Sequence, residues 1–492
     1  MTLRLHDTLT RTTRELVPRV PGRVGMYVCG PTVQAAPHVG HARSAVAFDV
    51  LHRWLRASGL EVVFVRNITD IDDKIITSAA EQDVPWWALA ERQTRAFRAA
   101  YEALAVLPPD AEPRATGHVP QMVALISALL GSGHAYAVDG DVYFDVRRHP
   151  PYGELSGQSP DALRAGEPAE SAARKKDPLD FALWKAAKPG EPAWDTPWGP
   201  GRPGWHIECS AMAAEYLGTE FDVHGGGHDL VFPHHENELA QSRSAGHPFA
   251  RTWVHHGLVT TPSGEKMSKS LGNSLVVADV LARVRPQVLR YLLGSAHHRS
   301  ALEFSAAQLD EASAAYGGVE RFVANALDAL GGLGEAEALA LEAATGADGD
   351  DPAGHGPHRA WAHFAEAMDD DLAVPRALAV VHRAVAHGNG LLTAALGGDA
   401  AARADLASWL DTVRRMLQVL ALDPVSQWPA AGGAGRLEPV VDALVQVALD
   451  ARRDARERRD WAAADAVRDR LAAAGVTVED TPGGARWRLA DR

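Results

Sequence analysis

The feature that most limits the fold is an alternation of strand-like and helix-like segments near the start of the chain. Val24 to Val28 and Val62 to Ile68 are rich in β-branched and apolar residues, which is typical of buried strands. Between them, Ala42 to Ala57 places apolar residues at helical spacing, namely Ala45, Val46, Phe48, Leu51, Trp54 and Leu55. A strand, a helix and a second strand in this order predict an α/β fold with a parallel sheet.

A lysine- and serine-containing segment far downstream indicates phosphate chemistry. Residues 264–273 read Gly-Glu-Lys-Met-Ser-Lys-Ser-Leu-Gly-Asn. Lys266 and Lys269 supply positive charge where negative charge accumulates as a nucleoside triphosphate is cleaved. The flanking glycines allow the segment to change shape around phosphates. A solvated basic loop is the alternative interpretation of this segment by itself.

A second motif, His38-Val39-Gly40-His41, lies between the first predicted strand and its helix. Gly40 permits close approach of a ligand, and His38 and His41 can donate hydrogen bonds to phosphate or ribose oxygens. Each motif by itself is also found in proteins that have no ATP site. Their order and spacing together predict an ATP site.

The two motifs resemble the HIGH and KMSKS signatures of class I aminoacyl-tRNA synthetases. The second signature is intact, whereas the first has Val39 in place of isoleucine, which removes one methylene. The resemblance implies a Rossmann-like catalytic domain that uses ATP with Mg²⁺, with ligands bound at the carboxyl ends of the strands.

The chain has two cysteines, too few for a disulfide framework. His234 and Glu238 are four residues apart on a helix that Pro233 is predicted to open, so they project from one face. An imidazole and a carboxylate joined by two thiolates give the four ligands that zinc prefers. We predict one Zn²⁺ per chain, bound by Cys29, Cys209, His234 and Glu238.

Other interpretations of these residues stay open. Each cysteine alone is more commonly a small buried thiol. His235 and Glu236 are a second candidate pair, but adjacent helical residues do not point the same way. Four protein ligands are also typical of a closed structural zinc site.

Longer strings resemble the cysteinyl-tRNA synthetase family. They are the segments 29–32 (CGPT), 67–76 (NITDIDDKII), 203–210 (PGWHIECS) and 225–230 (GGGHDL). The resemblance implies that ATP converts L-cysteine to cysteinyl adenylate, which is transferred to the 3′ end of tRNA(Cys) with release of AMP and pyrophosphate. It also implies a role for zinc, because a soft cation binds a cysteine thiolate better than a serine hydroxyl.

Further site residues follow from matched positions in that family. Gly30 and Thr69 resemble residues that contact the amino acid, and Trp205 resembles a wall of the cysteine pocket, although an aromatic residue there is as often part of the core. Asp229 resembles a residue that holds the adenosine ribose or the amino group. His206 and His224 are expected in the same cleft, without an assigned role.

The resemblance and the changes in composition predict five parts of the chain. They are residues 1–133, the first half of the catalytic domain; 134–203, a connective insertion; 204–304, the second half with the lysine segment; 305–425, an α-helical bundle that binds tRNA; and 435–492, a small C-terminal anticodon-binding domain. Residues 277–293 are predicted to be helical.

The net charge of −14 argues against a general nucleic-acid binder, since phosphate recognition needs clustered cations. The C-terminal helices carry clustered arginines at 452, 453, 456, 458, 459, 468 and 470. Interleaved acids make a solvated, salt-bridged helix the ordinary interpretation. The family resemblance instead implies anticodon binding, with Trp487 available to stack on a base.

Two other functions are considered. A related ligase transfers activated cysteine to a sugar amine but lacks an anticodon-binding tail, which the arginine-rich C-terminus disfavours. A non-catalytic RNA-binding paralogue would be expected to lose the motif lysines or histidines, and all are present. With no membrane-spanning run and no secretory segment, we expect a cytoplasmic protein that does not bind a membrane, and we favour a monomer.

One departure from the family pattern lies beside the first motif. Gln34, Ala35 and Ala36 stand where the family commonly has an aromatic residue followed by an acid. We predict that this difference changes turnover or cysteine affinity but not the reaction.

Overall fold

The computed structural model describes residues 2–159, 174–260, 276–346, 356–426, 428, 434–481 and 484–489. Its strands are β1 (Arg4–Asp7), β2 (Thr12–Glu15), β3 (Arg23–Val28), β4 (Glu61–Arg66), β5 (Ala135–Val138), β6 (Asp141–Phe144), β7 (Phe181–Ala186), β8 (Gly201–Pro203), β9 (Glu220–Gly227), β10 (Phe249–His256), β11 (Val259–Thr260), β12 (Leu302–Glu303), β13 (Val476–Thr481) and β14 (Gly484–Leu489).

The α-helices of the same ranges are α1 (Val39–Ala57), α2 (Asp73–Glu81), α3 (Trp86–Ala103), α4 (Val119–Gly131), α5 (Trp205–Leu217), α6 (Glu236–Ser244), α7 (Val277–Leu281), α8 (Pro286–Ser295), α9 (Ala306–Leu330), α10 (Leu333–Gly346), α11 (Pro357–Asp369), α12 (Val374–Leu396), α13 (Ala400–Leu420), α14 (Ala434–Glu457) and α15 (Trp461–Ala473). The chain divides into two compact units, Met1–Ser426 and Gln427–Arg492.

The first unit is built around a four-stranded sheet with the order β10-β9-β3-β4. All three strand pairs are parallel. The strands carry buried apolar side chains on both faces, as a sheet covered by helices on both sides requires. The predicted parallel sheet is therefore confirmed, with β3, α1 and β4 as its first strand–helix–strand unit.

Helix α1 begins three residues before the predicted start at Ala42 because His38 caps it. The His38 Nδ1 accepts the Gly40 N–H at 3.1 Å, and the His41 Nδ1 accepts the His38 N–H at 3.2 Å. Histidine is not among the residues usually favoured at this position, so composition gave no sign of the early start.

The helical stretch predicted at residues 277–293 consists of two helices in the structure. The structure has α7 and then α8, which begins at Pro286. Proline disfavours helical conformation in the preceding residue, and Arg285 is extended, with φ −60° and ψ 141°. The chain therefore turns there and starts a new helix with proline in its first turn.

The two halves of the parallel sheet are separated in sequence by an antiparallel sheet with the order β5-β6-β7-β8. After the second half, helices α9 to α13 pack around buried residues that include Phe322, Val381 and Leu410. The sequence between Ser305 and Leu420 is rich in alanine and leucine, which favours such helix-to-helix packing.

The second unit contains α14, α15 and an antiparallel hairpin of β13 and β14. Its small core includes Val445, Leu449 and Val476. Trp487 packs against that core, and its indole N–H donates to Asp442 Oδ1 at 2.9 Å. Among the described residues of both units, no helix is long and apolar enough to cross a membrane.

Candidate functional site

A cleft of 440 Å³ opens at the carboxyl ends of the parallel strands, where α/β sheets bind ligands. Among the predicted site residues, its lining includes Cys29, Gly30, His38, Gly40, His41, Trp205 and Asp229. The structure therefore brings the upstream motif together with residues more than 150 positions away in the sequence.

One end of the cleft is formed by the start of α1. The rings of His38 and His41 lie with their centroids 3.8 Å apart, and both side chains are half-buried. A side chain at position 40 would approach the His38 ring to 2.9 Å, so glycine is needed where that ring caps the helix. Because a helix N-terminus carries partial positive charge, this end of the cleft suits an anion.

Lys266 and Lys269 lie in residues 261–275, outside the described residues. The described chain on either side reaches the same cleft. Val259 lines it, and Val276 pairs with His38 in an isolated bridge. The Val277 N–H also donates to the Pro37 carbonyl at 2.9 Å.

Gly30 lies just beyond the end of β3 and lines the cleft, against Asn67, which follows the end of β4. Its N–H donates to Asn67 Oδ1 at 2.8 Å, and a Cβ at this position would lie 1.7 Å from the Asn67 carbonyl oxygen. No larger residue fits without moving the backbone. Glycine here therefore leaves the cleft floor flat beside Cys29.

Thr69 is buried in a network beside Gly30. Its hydroxyl donates to Glu208 Oε2 at 2.9 Å, and Asn67 Nδ2 donates to the Thr69 oxygen at 3.2 Å. Burial raises the pKa of Glu208 well above its usual value. The network fixes Thr69 in position, three residues after the end of β4.

The four predicted metal ligands meet in one buried cluster. The donor atoms of Cys29, Cys209, His234 and Glu238 all lie within 4.8 Å of one another. The two sulfurs are 3.6 Å apart, the Cys29 sulfur is 3.3 Å from Glu238 Oε1, and His234 Nε2 is 3.0 Å from the same oxygen. We call these four residues the thiolate cluster.

The size of the thiolate cluster fits a zinc ion. Zinc bonds of about 2.3 Å to sulfur and about 2.0–2.1 Å to nitrogen or oxygen give a tetrahedron with edges of about 3.3–3.8 Å. The three distances given above are each a few tenths of an ångström shorter than the corresponding edge. The cluster therefore has the donor types and the dimensions of a metal site.

A second set of four donors overlaps with the first and consists of Cys29, His224, His235 and Glu238. It has one sulfur instead of two, and while His224 contacts Glu238 within the set, His235 has a partner outside it. His224 Nε2 lies 2.8 Å from Glu238 Oε2, and His235 Nδ1 lies 2.7 Å from His255 Nε2. Zinc prefers thiolates, so the thiolate cluster is the better site.

The surrounding residues hold the ligands in position. His206 Nδ1 is 2.9 Å from His234 Nδ1, which leaves His234 Nε2 directed at the thiolate cluster. Trp205 stacks on His234 with a centroid distance of 4.3 Å. His224 holds the Glu238 carboxylate in position through its contact with Oε2. His206 and His224 are predicted to lie in the cleft without an assigned role, but neither lines it, and their partners His234 and Glu238 are distant in sequence.

The donors of the thiolate cluster differ in how readily they ionise, since burial raises the pKa of the Cys29 thiol well above its usual value. Burial alone raises the pKa of Cys209, but hydrogen bonds from Cys29 and His234 outweigh it and lower this pKa to about 6. Burial also opposes ionisation of Glu238, yet His224 and His234 hold its pKa well below the usual value. A divalent cation compensates such buried negative charge. Without a cation, protonated imidazoles compensate it.

Gln34, Ala35 and Ala36, the departure from the family pattern, all line the cleft. They precede His38 and are half-buried. The absence of a large aromatic ring at these positions therefore changes the wall next to the helix start.

Three family descriptions match consecutive parts of the chain. The class I (C) tRNA synthetase catalytic domain matches residues 15–314, the DALR domain matches 363–422, and the cysteinyl-tRNA ligase anticodon-binding domain matches 438–488. The first match covers most of the unit that contains the cleft.

Full-length relatives agree with these matches. The cysteine–tRNA ligase of Frankia casuarinae is 54% identical, over 100% of both chains. That of Streptomyces coelicolor is 52% identical, over 100% of this chain and 76% of the relative. Methionyl-tRNA synthetase of Mycobacterium tuberculosis, solved with methionyl-adenylate, shares 18% identity at a TM-score of 0.57, over 81% of this chain and 90% of that one. This last similarity concerns the fold alone.

Proposed function

The chain belongs to the cysteine–tRNA ligase family of class I aminoacyl-tRNA synthetases, and on that basis we propose how its residues activate L-cysteine with ATP and transfer it to tRNA(Cys). One observation carries the proposal. Cys29 lines the cleft and also supplies a sulfur to the thiolate cluster, so the same cleft joins the helix start that suits phosphates to a site that suits a thiol.

The reaction has two steps. The cysteine carboxylate attacks the α-phosphorus of ATP, and pyrophosphate leaves with the bridging oxygen. A ribose hydroxyl at the 3′ end of tRNA then attacks the carbonyl carbon of the adenylate, the ester forms, and AMP leaves. Neither step needs a protein nucleophile, so catalysis depends on positioning and on charge stabilisation, with Mg²⁺ bound by the phosphates.

The nucleotide is assigned to the end of the cleft at α1. His38 and His41 donate to phosphate oxygens, Gly40 allows the phosphates to approach the backbone, and the N-terminus of α1 adds partial positive charge. Lys266 and Lys269 are assigned to the charge that develops on the leaving pyrophosphate. Asp229 accepts hydrogen bonds from the adenosine ribose or from the amino group.

The cysteine side chain is assigned to the end of the cleft at the thiolate cluster. Cys29, Cys209, His234 and Glu238 hold one Zn²⁺ per chain. When bound, zinc supplies a soft Lewis acid that takes a thiolate in preference to the hydroxyl of serine. The four protein donors would hold that ion, and His206 and His224 orient two of these donors, His234 and Glu238.

Three residues complete the cysteine pocket in this proposal. Gly30 forms the floor beside Cys29, because only glycine fits against Asn67. Trp205 forms a wall, since its ring stacks on His234 and lines the cleft. Thr69 supports the floor through its bond to Glu208.

The C-terminal unit separates this function from the sugar-amine ligase. Residues 438–488 match the anticodon-binding domain of cysteinyl-tRNA ligases, which a sugar-amine ligase does not need. The helices of the DALR match, α11 to α13, supply further surface for tRNA.

The proposal is tested by attachment of labelled cysteine to unfractionated tRNA with ATP and magnesium, with labelled serine as a parallel substrate. Charging by cysteine alone is the expected result. Cysteine-dependent pyrophosphate exchange without charging would favour the sugar-amine ligase, and the absence of both would favour a non-catalytic paralogue. Metal analysis of the same preparation should give about one zinc per chain, as a four-ligand site requires.

A further inference from the structure

His256 lies in the nucleotide cleft but has no role in the mechanism above. It is the last residue of β10 and pairs with Gly227, the last residue of β9, at the carboxyl edge of the sheet. It lines the cleft, yet its side chain is only 5% exposed. A buried imidazole in a substrate cleft needs a reason to be there.

The protonation of this ring follows from its neighbours. His256 Nδ1 lies 2.9 Å from the Gly257 carbonyl oxygen, which can only accept, so Nδ1 carries the hydrogen. Burial lowers the pKa of His256 to about 4, and the ring is therefore neutral at physiological pH. Phe48 packs edge-on against it at a centroid distance of 6.0 Å and fixes its orientation. It follows that Nε2 carries a lone pair and can only accept.

That lone pair is not used by the protein. Among the residues that the structure describes, none donates a hydrogen bond to His256 Nε2, and the atom is shielded from solvent. A buried acceptor without a partner is costly, and a donor that reaches it does not compete with water. Nε2 is therefore positioned for a donor brought by a ligand.

Gly227 provides the space for such a donor. A Cβ at position 227 would lie 3.5 Å from His256 Nε2 and 2.5 Å from Asp229 Oδ1, so two acceptors flank one point above the glycine. Asp229 is solvent-exposed and lines the cleft, so this point lies beside a group that a ligand in the cleft reaches. Two neighbouring acceptors fit two neighbouring donors.

The donors available in ATP are few. At neutral pH its phosphates are acceptors only, whereas its ribose carries two hydroxyls on adjacent carbons. The adenine amino group is the other donor. We propose that His256 Nε2 accepts a hydrogen bond from a ribose hydroxyl of ATP, beside Asp229, and is therefore a nucleotide-positioning residue. This inference rests on the proposed function, because it assigns ATP to this cleft.

Two substitutions separate the two nitrogens of the ring. In His256→Asn, the amide reaches the position of Nδ1 and can still donate to Gly257, but the acceptor at Nε2 is lost. In His256→Gln, the amide oxygen reaches the position of Nε2. The KM for ATP in cysteine-dependent pyrophosphate exchange should rise about 3- to 10-fold for His256→Asn, the value of one hydrogen bond. His256→Gln should restore a KM within about 2-fold of the wild type, a change below one such bond.

The control is His149→Asn. His149 is also a buried histidine, and its Nδ1 lies 3.0 Å from Ser244 Oγ, on the antiparallel-sheet side of the first unit. This variant should leave the KM for ATP unchanged. Melting temperatures of all three variants show whether any of them alters the fold.

Nucleotide analogues identify the hydroxyl. One of the two analogues, 2′-deoxy-ATP or 3′-deoxy-ATP, lacks the hydroxyl that bonds to Nε2. For that analogue, wild type and His256→Asn should have the same KM. With purine riboside triphosphate, which lacks the adenine amino group, the full difference between them should persist. Disappearance of the difference with that analogue instead would assign Nε2 to adenine and overturn the proposal.

An equal effect of His256→Asn on ATP and on both deoxy analogues would also overturn it. Failure of the proposed function gives a different result, since the wild type itself would then show no cysteine-dependent exchange. In that case calorimetric titration with ATP and the two deoxy analogues measures the same differences directly.

Discussion

The two ends of the cleft hold their functional atoms in opposite ways. At the proposed cysteine end, Cys209, His234 and Glu238 are almost fully buried, and neighbouring histidines orient His234 and Glu238. At the nucleotide end, the half-buried His38 and His41 stand at a helix start, and Asp229 is exposed. A buried, pre-oriented site suits a small and constant chemical group. An open site built on backbone groups suits a large charged ligand that enters and leaves.

This difference leads to separable effects. Changes at the thiolate cluster should alter metal content and cysteine use without altering ATP binding. Changes at the helix start should alter turnover without altering metal content. A variant that alters both properties would show that the two ends are coupled.

The largest effect is expected for Cys209→Ser. Loss of one of four ligands should reduce zinc to well below one per chain and reduce kcat/KM for cysteine by at least about 10³-fold, because recognition of the thiol then lacks its main polar contact. ATP affinity, measured by calorimetry, should not change. Metal analysis and pyrophosphate exchange check these outcomes.

Ser210→Ala is the matched control. Ser210 is adjacent and buried, and its hydroxyl donates to Gln241 Oε1 at 2.7 Å. It should keep its zinc. A Cys209→Ser enzyme that is free of metal but fully selective for cysteine would refute the role of the thiolate cluster.

The second test separates the two roles of His38. Both His38→Asn and His38→Ala should lower kcat for adenylate formation by about 10²-fold, since each removes a hydrogen-bond donor to developing charge. Only His38→Ala should lower the free energy of unfolding, by about 1 kcal/mol, because asparagine still caps α1. Zinc content should be unchanged in both. Equal loss of stability in the two variants would show that the capping bond is unimportant.

The third test concerns the support of the metal ligands. His206→Gln should weaken zinc affinity by about 10- to 100-fold, because His234 loses the partner that orients it. Competition with a chelator measures this change. His118→Gln is the control, since His118 is also half-buried and contacts Tyr216 at 3.1 Å outside the cleft. If both variants retain zinc equally well, His206 does not orient His234.

The smallest effect is expected for Gln34→Tyr. Restoring an aromatic ring at the cleft wall should change turnover or the KM for cysteine by about 2- to 10-fold, which corresponds to one or two contacts. Zinc content should stay the same. An unchanged kcat and KM would show that this departure from the family pattern has no consequence for catalysis.

Local sequence predicted local structure well where neighbouring residues set it. The apolar strand segments and the helical spacing of Ala45 to Leu55 specify β3, α1 and β4. The errors lie where a particular contact decides. His38 extended α1 by capping it, and Pro286 divided the predicted helical stretch in two. Neither effect is visible in hydrophobic periodicity.

The chemistry of the site was only partly visible in the sequence. The sequence indicated the types of ligand atom, because residue identity determines which atoms are available. The indicators were two cysteines, a His–Glu pair at helical spacing and a His-Val-Gly-His motif. The sequence could not find the partners of those residues. His224 and His206 are assigned only because folding places them against Glu238 and His234.

The sequence by itself therefore determined the parallel-sheet fold and the kinds of donor atom that the protein offers. The tertiary structure alone decided which donors meet, as when Cys29 and Cys209, 180 residues apart, come within 3.6 Å. It also decided which nitrogen of His256 keeps its lone pair. The physical reason is that periodicity and propensity act over a few residues, whereas distances, burial and hydrogen-bond partners arise only when distant strand ends meet at one edge of a sheet.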